Sequence, residues 1–210
     1  KDVRNIDESP PAVPFNGYCE GAVMDARGKI QAGKMMNIIN PYELKQEDLP
    51  LIVLTDDLRS FFNWATTAHT KGNYGHIMTM TEPGLYDSML FSGYKRVPIK
   101  VYDKQSMILK FWSVKCTPEQ AAALLAVVKE YAARKWWQRR YDPLGIIGQL
   151  FNVRVLQSPL GEYCSELVGK HIRKHIDPAF PLRQSPSGLN RYMTTRPDIY
   201  TVKGYVYPED

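Results

Sequence analysis

A loop of proline and glycine, Ser158-Pro159-Leu160-Gly161, runs straight into an apolar-periodic segment that carries the last cysteine of the chain. No other stretch constrains the fold as much. Leu167, Val168, Ile172 and Ile176 recur at helical spacing, which predicts a helix from about residue 164 to 176. Cys164 then falls in its first turn. A thiol there meets unpaired backbone N–H groups and the positive end of the helix dipole, and both favour the thiolate. A cysteine in a helix is more often a small buried filler than a nucleophile. The residues that accompany Cys164 therefore decide between the two.

At 210 residues the chain can bury a core without disulfide or metal staples. The three cysteines, Cys19, Cys116 and Cys164, are odd in number, widely spaced and free of any CxxC pair. They offer neither a disulfide framework nor a zinc knuckle. No apolar run approaches the roughly 18 residues of a membrane span. Part of the net charge of +5 gathers at Arg134, Lys135, Arg139 and Arg140 and again at Lys170, Arg173 and Lys174. Such faces suit nucleic acid, anionic lipid or an acidic wall polymer, yet most are simply solvated. The basic residues lack the aromatic interleaving of a nucleic-acid-binding sheet, so no nucleic-acid partner is expected and contact with a membrane surface is only weakly supported. The chain opens Lys-Asp-Val-Arg, without Met or an apolar leader, and reads as trimmed or processed.

Residues 1–48 read as an arm. Pro10, Pro11 and Pro14 and the glycines at 17, 21, 28 and 33 argue against regular core elements, with short strands at most at 18–23 and 35–39. Such an arm can hold a protein partner. The domain proper is expected over 49–210. Leu51-Ile52-Val53-Leu54 suits a buried strand, and Thr55, Asp56 and Asp57 can cap a helix running to about His69. Strands are expected over 75–80, 85–91, 96–102 and 106–114. Thr117-Pro118-Glu119-Gln120 is a helix start with a capping box and Pro at the first position, and its apolar face runs to about Arg139. A helical turn near Ser185-Pro186-Ser187-Gly188-Leu189 and a last strand over 199–207 complete an α+β pattern.

A cysteine nucleophile needs a base, and histidine is the usual one. His171 and His175 follow Cys164 on the same helix and lie roughly 10 and 16 Å further along its axis, out of reach of the thiol. Their i,i+4 spacing could hold a metal, but no Glu follows the first His as in HExxH, and polar residues closing a helix is the plainer reading. His69 ends a helix in the same way. His76 follows Gly75 at the start of an apolar strand, a rigid element that can face the cysteine helix.

The order of these pieces resembles the permuted branch of the NlpC-type papain-like cysteine peptidases. The matching pieces are Asn73-Tyr74-Gly75-His76-Ile77, Tyr141-Asp142-Pro143-Leu144, Tyr163-Cys164-Ser165-Glu166-Leu167-Val168 and Ser185-Pro186-Ser187-Gly188-Leu189. They span about residues 49–191, and the histidine strand precedes the cysteine helix. The resemblance implies a circularly permuted papain-like domain, an antiparallel sheet packed with helices, behind an N-terminal extension. It implies Cys164 as nucleophile, His76 as general base, a third polar residue on the next strand, and Tyr163 at the substrate. Asp87 best matches that third place, with Glu82 second. The implied activity is hydrolysis of an amide through an acyl-enzyme, on peptide or peptidoglycan-like substrate in a bacterial cell or phage particle, with no cofactor and no metal. Acyltransferases and lipid-acting thiol hydrolases share this fold. A structural virion or assembly protein carrying the domain is the alternative of another class.

Overall fold

The structure, a computed structural model, describes residues 23–24, 30–31, 37–57, 73–89, 93–102, 107–135, 138, 164–182 and 184–207. The chain divides into two compact units, Lys1–Lys34 and Met35–Asp210. In the first, β1 (Val23–Met24) and β2 (Ile30–Gln31) pair antiparallel, Val23 opposite Gln31.

The second unit is α+β. Its frame is a six-stranded antiparallel sheet built from β3 (Leu51–Asp57), β4 (His76–Met80), β5 (Leu85–Met89), β6 (Gly93–Val97), β7 (Met107–Val114) and β8 (Tyr200–Val206). Their spatial order is β6-β5-β4-β3-β7-β8. Strands β3 to β6 form a meander, after which the chain crosses back so that β7 pairs with the free side of β3. Three helices follow among the described residues: α1 (Pro118–Ala133), α2 (Cys164–His175) and α3 (Pro186–Thr194).

The continuous apolar run of β3 has a simple cause, because both faces of the sheet are covered. Ile52 and Leu54, with Ile77 and Trp112, pack against Leu124 and Val128 of α1, Leu167, Val168 and Ile172 of α2, and Leu189 and Met193 of α3. Leu51 and Val53 face the other way, into a second cluster with Met78, Leu85, Tyr102 and Phe111. Alternation along a strand thus sends successive residues into two different cores.

Several boundaries differ from expectation for local reasons. The strand expected over 96–102 stops at Val97, because Pro98 has no N–H to give a ladder. Ile99–Tyr102 instead forms a 3-10 turn. Helix α1 has the capping box of Thr117 and Gln120, with Gln120 N–H donating to Thr117 Oγ1 at 3.2 Å. It ends at Ala133, since Arg134 takes an extended ψ of 157° and turns its guanidinium back to Glu130 at 3.0 Å. The expected turn at 185–189 is a nine-residue helix, capped by Ser185 Oγ accepting from Gly188 N–H. The helix expected to run to His69, together with Trp136, Trp137 and the Tyr141–Leu144 piece, lies outside the described residues.

The compact unit begins before the expected 48/49 boundary, because residues 37–39 extend the sheet beside β8. Ile38 bridges Tyr205 in parallel, Ile39 N–H donates to Tyr205 O at 3.0 Å, and Tyr205 N–H donates to Asn37 O at 2.9 Å. Gly204 permits this approach: a Cβ there would stand 2.5 Å from Asn37 O. Beyond α2, the buried Asp177 carboxylate accepts from Ala179 N–H and from the hydroxyls of Tyr192 and Tyr200, so one side chain ties α2 to α3 and β8. Among the described residues, no helix is long and apolar enough to cross a membrane.

Candidate active site

Cys164 is the first residue of α2 and is buried. As at any helix start, the first-turn N–H groups of α2 have no intrahelical acceptors. Glu166 in that turn and Arg173, Lys174 and His175 in the last are placed with the dipole. Helix α2 packs on β4. His76 opens β4, opposite Thr55 of β3, at the end of the sheet where a side chain can reach past the ladder.

Nε2–H of His76 donates to Oδ1 of Asp87 at 2.5 Å. Asp87 is the middle residue of β5 and is almost fully buried, whereas the His76 ring is about one-quarter exposed, at 24%. Nδ1 is the ring nitrogen left for the thiol, and the Cys164 sulfur acts on His76 both by charge and by hydrogen bonding. Burial alone would push the imidazole down. The Asp87 carboxylate and the Cys164 sulfur outweigh it and hold His76 well above its ordinary value, so the imidazolium is the favoured form. Burial would raise Asp87, yet His76, the Tyr102 hydroxyl and the Ser88 N–H hold it below the usual carboxylate range. Together these groups hold a charged imidazolium against the Cys164 sulfur.

Three of the residues singled out in the sequence, Cys164, His76 and Asp87, thus come together from three separate elements. Glu82 does not join them. It sits in the β4–β5 turn, at the other end of β4 from His76, bound by Lys129 at 2.7 Å, Arg96 at 3.2 Å and the Tyr86 hydroxyl. Tyr163 and Cys19 lie outside the described residues. A cavity of about 280 Å³ lined by Pro41, Tyr42, Leu44, Met80 and Lys100 borders that same turn and contains none of the three.

Two further residues belong to the arrangement and were not singled out for it. The Tyr102 hydroxyl, at the end of the 3-10 turn, donates to Oδ2 of Asp87. Ser187 Oγ accepts from Tyr74 N–H at 2.9 Å and donates to Tyr74 O at 3.1 Å, clamping the backbone two residues before His76. Ser187 stood inside a quoted motif, but spacing alone does not say which segment it grips. Tyr102 had no signal, because it was expected to lie on a strand.

His171 is placed away from the thiol, buried against the rings of Tyr94 and Tyr131. Burial first, then the positive charges of His175, Arg134, Lys174 and Lys170, push it down to about 4. An unfolded chain would take up this proton near 6.5, so the native state loses stability as pH falls from about 6.5 to 4, by about 3 kcal/mol in all. His171→Leu should flatten the corresponding fall in melting temperature across that window. Thermal unfolding at several pH values checks it, and an unchanged slope would contradict a neutral buried imidazole.

No family model matches the sequence, and no curated protein does. The structure is similar to the crystal structure of metalloprotein yiiX from Escherichia coli O157:H7, DUF1105, with a TM-score of 0.51 and 16% sequence identity over 76% of this chain and 97% of that one. That likeness concerns the fold alone.

Proposed function

We propose that this chain is a cysteine hydrolase with a permuted papain-like domain of the NlpC type, cleaving an amide bond through Cys164 and His76. The observation that carries the reading is the line from Asp87 through His76 to the Cys164 sulfur, drawn from β5, β4 and the first turn of α2. A histidine oriented by a carboxylate and facing a thiol at a helix start is the general triad arrangement, recognised by geometry rather than by order in the chain.

In the first step the Cys164 thiolate attacks the acyl carbon. Negative charge passes to the carbonyl oxygen, to which backbone N–H groups at the start of α2 can donate. The His76 imidazolium gives its proton to the departing amine nitrogen, the C–N bond breaks, and a thioester remains on Cys164. Neutral His76 then takes a proton from water, the hydroxide adds to the thioester carbon, and collapse releases the acid and restores the thiolate. Asp87 keeps the ring turned and its positive charge compensated throughout. The substrate class, a peptide of the bacterial cell wall, follows from the resemblance in sequence pattern. The neighbour in fold is described as a metalloprotein; among the described residues of this chain no three His, Cys, Asp or Glu side chains are grouped to hold an ion, and no step here runs through one.

The test is to incubate the protein with wall-derived peptides and, separately, with short acyl thioesters, quench in acid, and weigh the peptide that contains Cys164. An acyl adduct from wall peptide, with release of the amine fragment, supports the hydrolase. An adduct only from thioesters, passed on to an added amine, makes it an acyltransferase. Neither adduct nor cleavage would sink the reading.

A further inference from the structure

We propose that Tyr102 is a positioning residue of this site: its hydroxyl holds the Asp87 carboxylate ionised and turned toward His76, and so sets how far into acid the base keeps its charged partner. The inference rests on reading His76 as the base, and it deepens that reading by naming what limits the site at low pH.

The geometry is a three-member relay. Asp87 is 3% exposed, and each of its carboxylate oxygens has a separate partner: His76 Nε2 on Oδ1 and Tyr102 Oη on Oδ2. A carboxylate this deep in the protein is costly unless both oxygens are satisfied. Held from two sides, it cannot rotate without breaking one bond. Tyr102 is itself fixed, being buried in the second core cluster with Leu85, Val97 and Met107. The turn that carries it, Ile99–Tyr102, exists because Pro98 ends β6, so a break in the strand delivers the phenol to the carboxylate.

Among the described residues, the groups facing the relay come from α2, β5 and β6. From α2 comes the Cys164 sulfur, which acts on His76. From β5 itself the Ser88 N–H supports Asp87. From β6, Tyr94 feels the Asp87 charge and its hydroxyl shares a hydrogen bond with Thr79 Oγ1 at 3.3 Å, and Lys95, opposite Asp87 in the ladder, makes no ion pair with it among the described residues. Tyr102 is thus the neutral side chain that donates to this carboxylate. A hydroxyl donor favours the ionised over the protonated acid. Removing it should let Asp87 take up a proton at higher pH, and below that point the imidazolium loses its counter-charge.

The experiment follows the His76 ring resonances by NMR from pH 3 to 9, where the lower inflection reports protonation of Asp87, its loss in Asp87→Asn confirming the assignment. Tyr102→Phe should move that inflection upward by about one pH unit. Tyr94→Phe, which removes a buried phenol hydrogen-bonded to Thr79, should leave it in place. If Tyr102→Phe folds poorly, Tyr102→3-fluorotyrosine keeps the shape with a stronger donor and should move the inflection downward. An inflection unmoved by either change at Tyr102, or moved equally by Tyr94→Phe, would overturn the proposal and leave Tyr102 a packing residue. The readout does not depend on thiol chemistry. An inert Cys164 with a shifted inflection removes the hydrolase reading and keeps the relay, and a reactive Cys164 with no shift does the reverse.

Discussion

At pH 6, His76→Ala is expected to slow the labelling of Cys164 by iodoacetamide about a hundredfold. An unassisted thiol titrates near 8.5, so only about 0.3% of it is thiolate at that pH. On the proposed reading His76 takes the proton of the Cys164 thiol, and that side chain is what the variant removes. The sign with pH follows from His76 being held above its ordinary value. The advantage of the wild type is greatest below the titration of a free thiol and shrinks as pH rises toward 9, where any thiol ionises. Cys116 is the internal control. It is partly buried, and burial pushes its thiol up, so it should label slowly in both proteins. Peptide mass spectrometry at limiting reagent reads both sites at once. Should Cys164 label no faster than Cys116 in the wild type, the thiol has no activated form and the proposed chemistry loses its basis.

The second large effect is on stability. Asp177→Ala is expected to cost about 4 kcal/mol and to lower the melting temperature by about 10 °C. The carboxylate is 2% exposed and accepts from Tyr192 at 2.8 Å and Tyr200 at 2.9 Å, with Arg196 3.6 Å away. Alanine leaves the buried Tyr200 hydroxyl and the half-buried Tyr192 hydroxyl without their acceptor, while Arg196 keeps Asp198, and a stranded buried donor costs more than its bond was worth. Asp177→Asn keeps an acceptor oxygen and should lose only about half as much. If both variants melt within 2 °C of wild type, as estimated for small surface effects, the cluster is not what binds α3 and β8 to α2.

How much of this was legible in the amino-acid sequence varies with the physics behind each element. Helix α2 and the meander were readable because their apolar residues recur at fixed periods, and Cys164, His76 and Asp87 fall on those elements. The start of α1 was readable from Thr117, Pro118 and Gln120, because caps are local chemistry. Its end was not, since the apolar pattern continues past the point where Arg134 leaves helical geometry. Residues 37–39 were read as part of an arm because their pairing with β8 joins positions far apart in sequence, and no local signal announces a partner at that distance. The same reason hid the grip of Ser187 on Tyr74. Tyr102 was hidden differently: Pro98 was passed over as a strand breaker, so the 3-10 turn that aims the phenol went unforeseen. The pattern is consistent. Periodicity and capping are short-range and show in the sequence, while the Ser187 clamp on Tyr74 and the pairing of 37–39 with β8 are long-range and do not.

The relay also has a direction in time. His76, Asp87 and Tyr102 all lie between residues 76 and 102, within a meander whose strands pair with their sequence neighbours, whereas Cys164 and the Ser187 clamp come much later. During synthesis the His76–Asp87–Tyr102 group can therefore take shape before Cys164 is made, because local pairings form sooner than distant ones. The sheet is complete only when β8 closes against β7, at the very end of the described chain. A chain ending before α2 would thus hold His76 already paired with Asp87, with the Cys164 sulfur still to come.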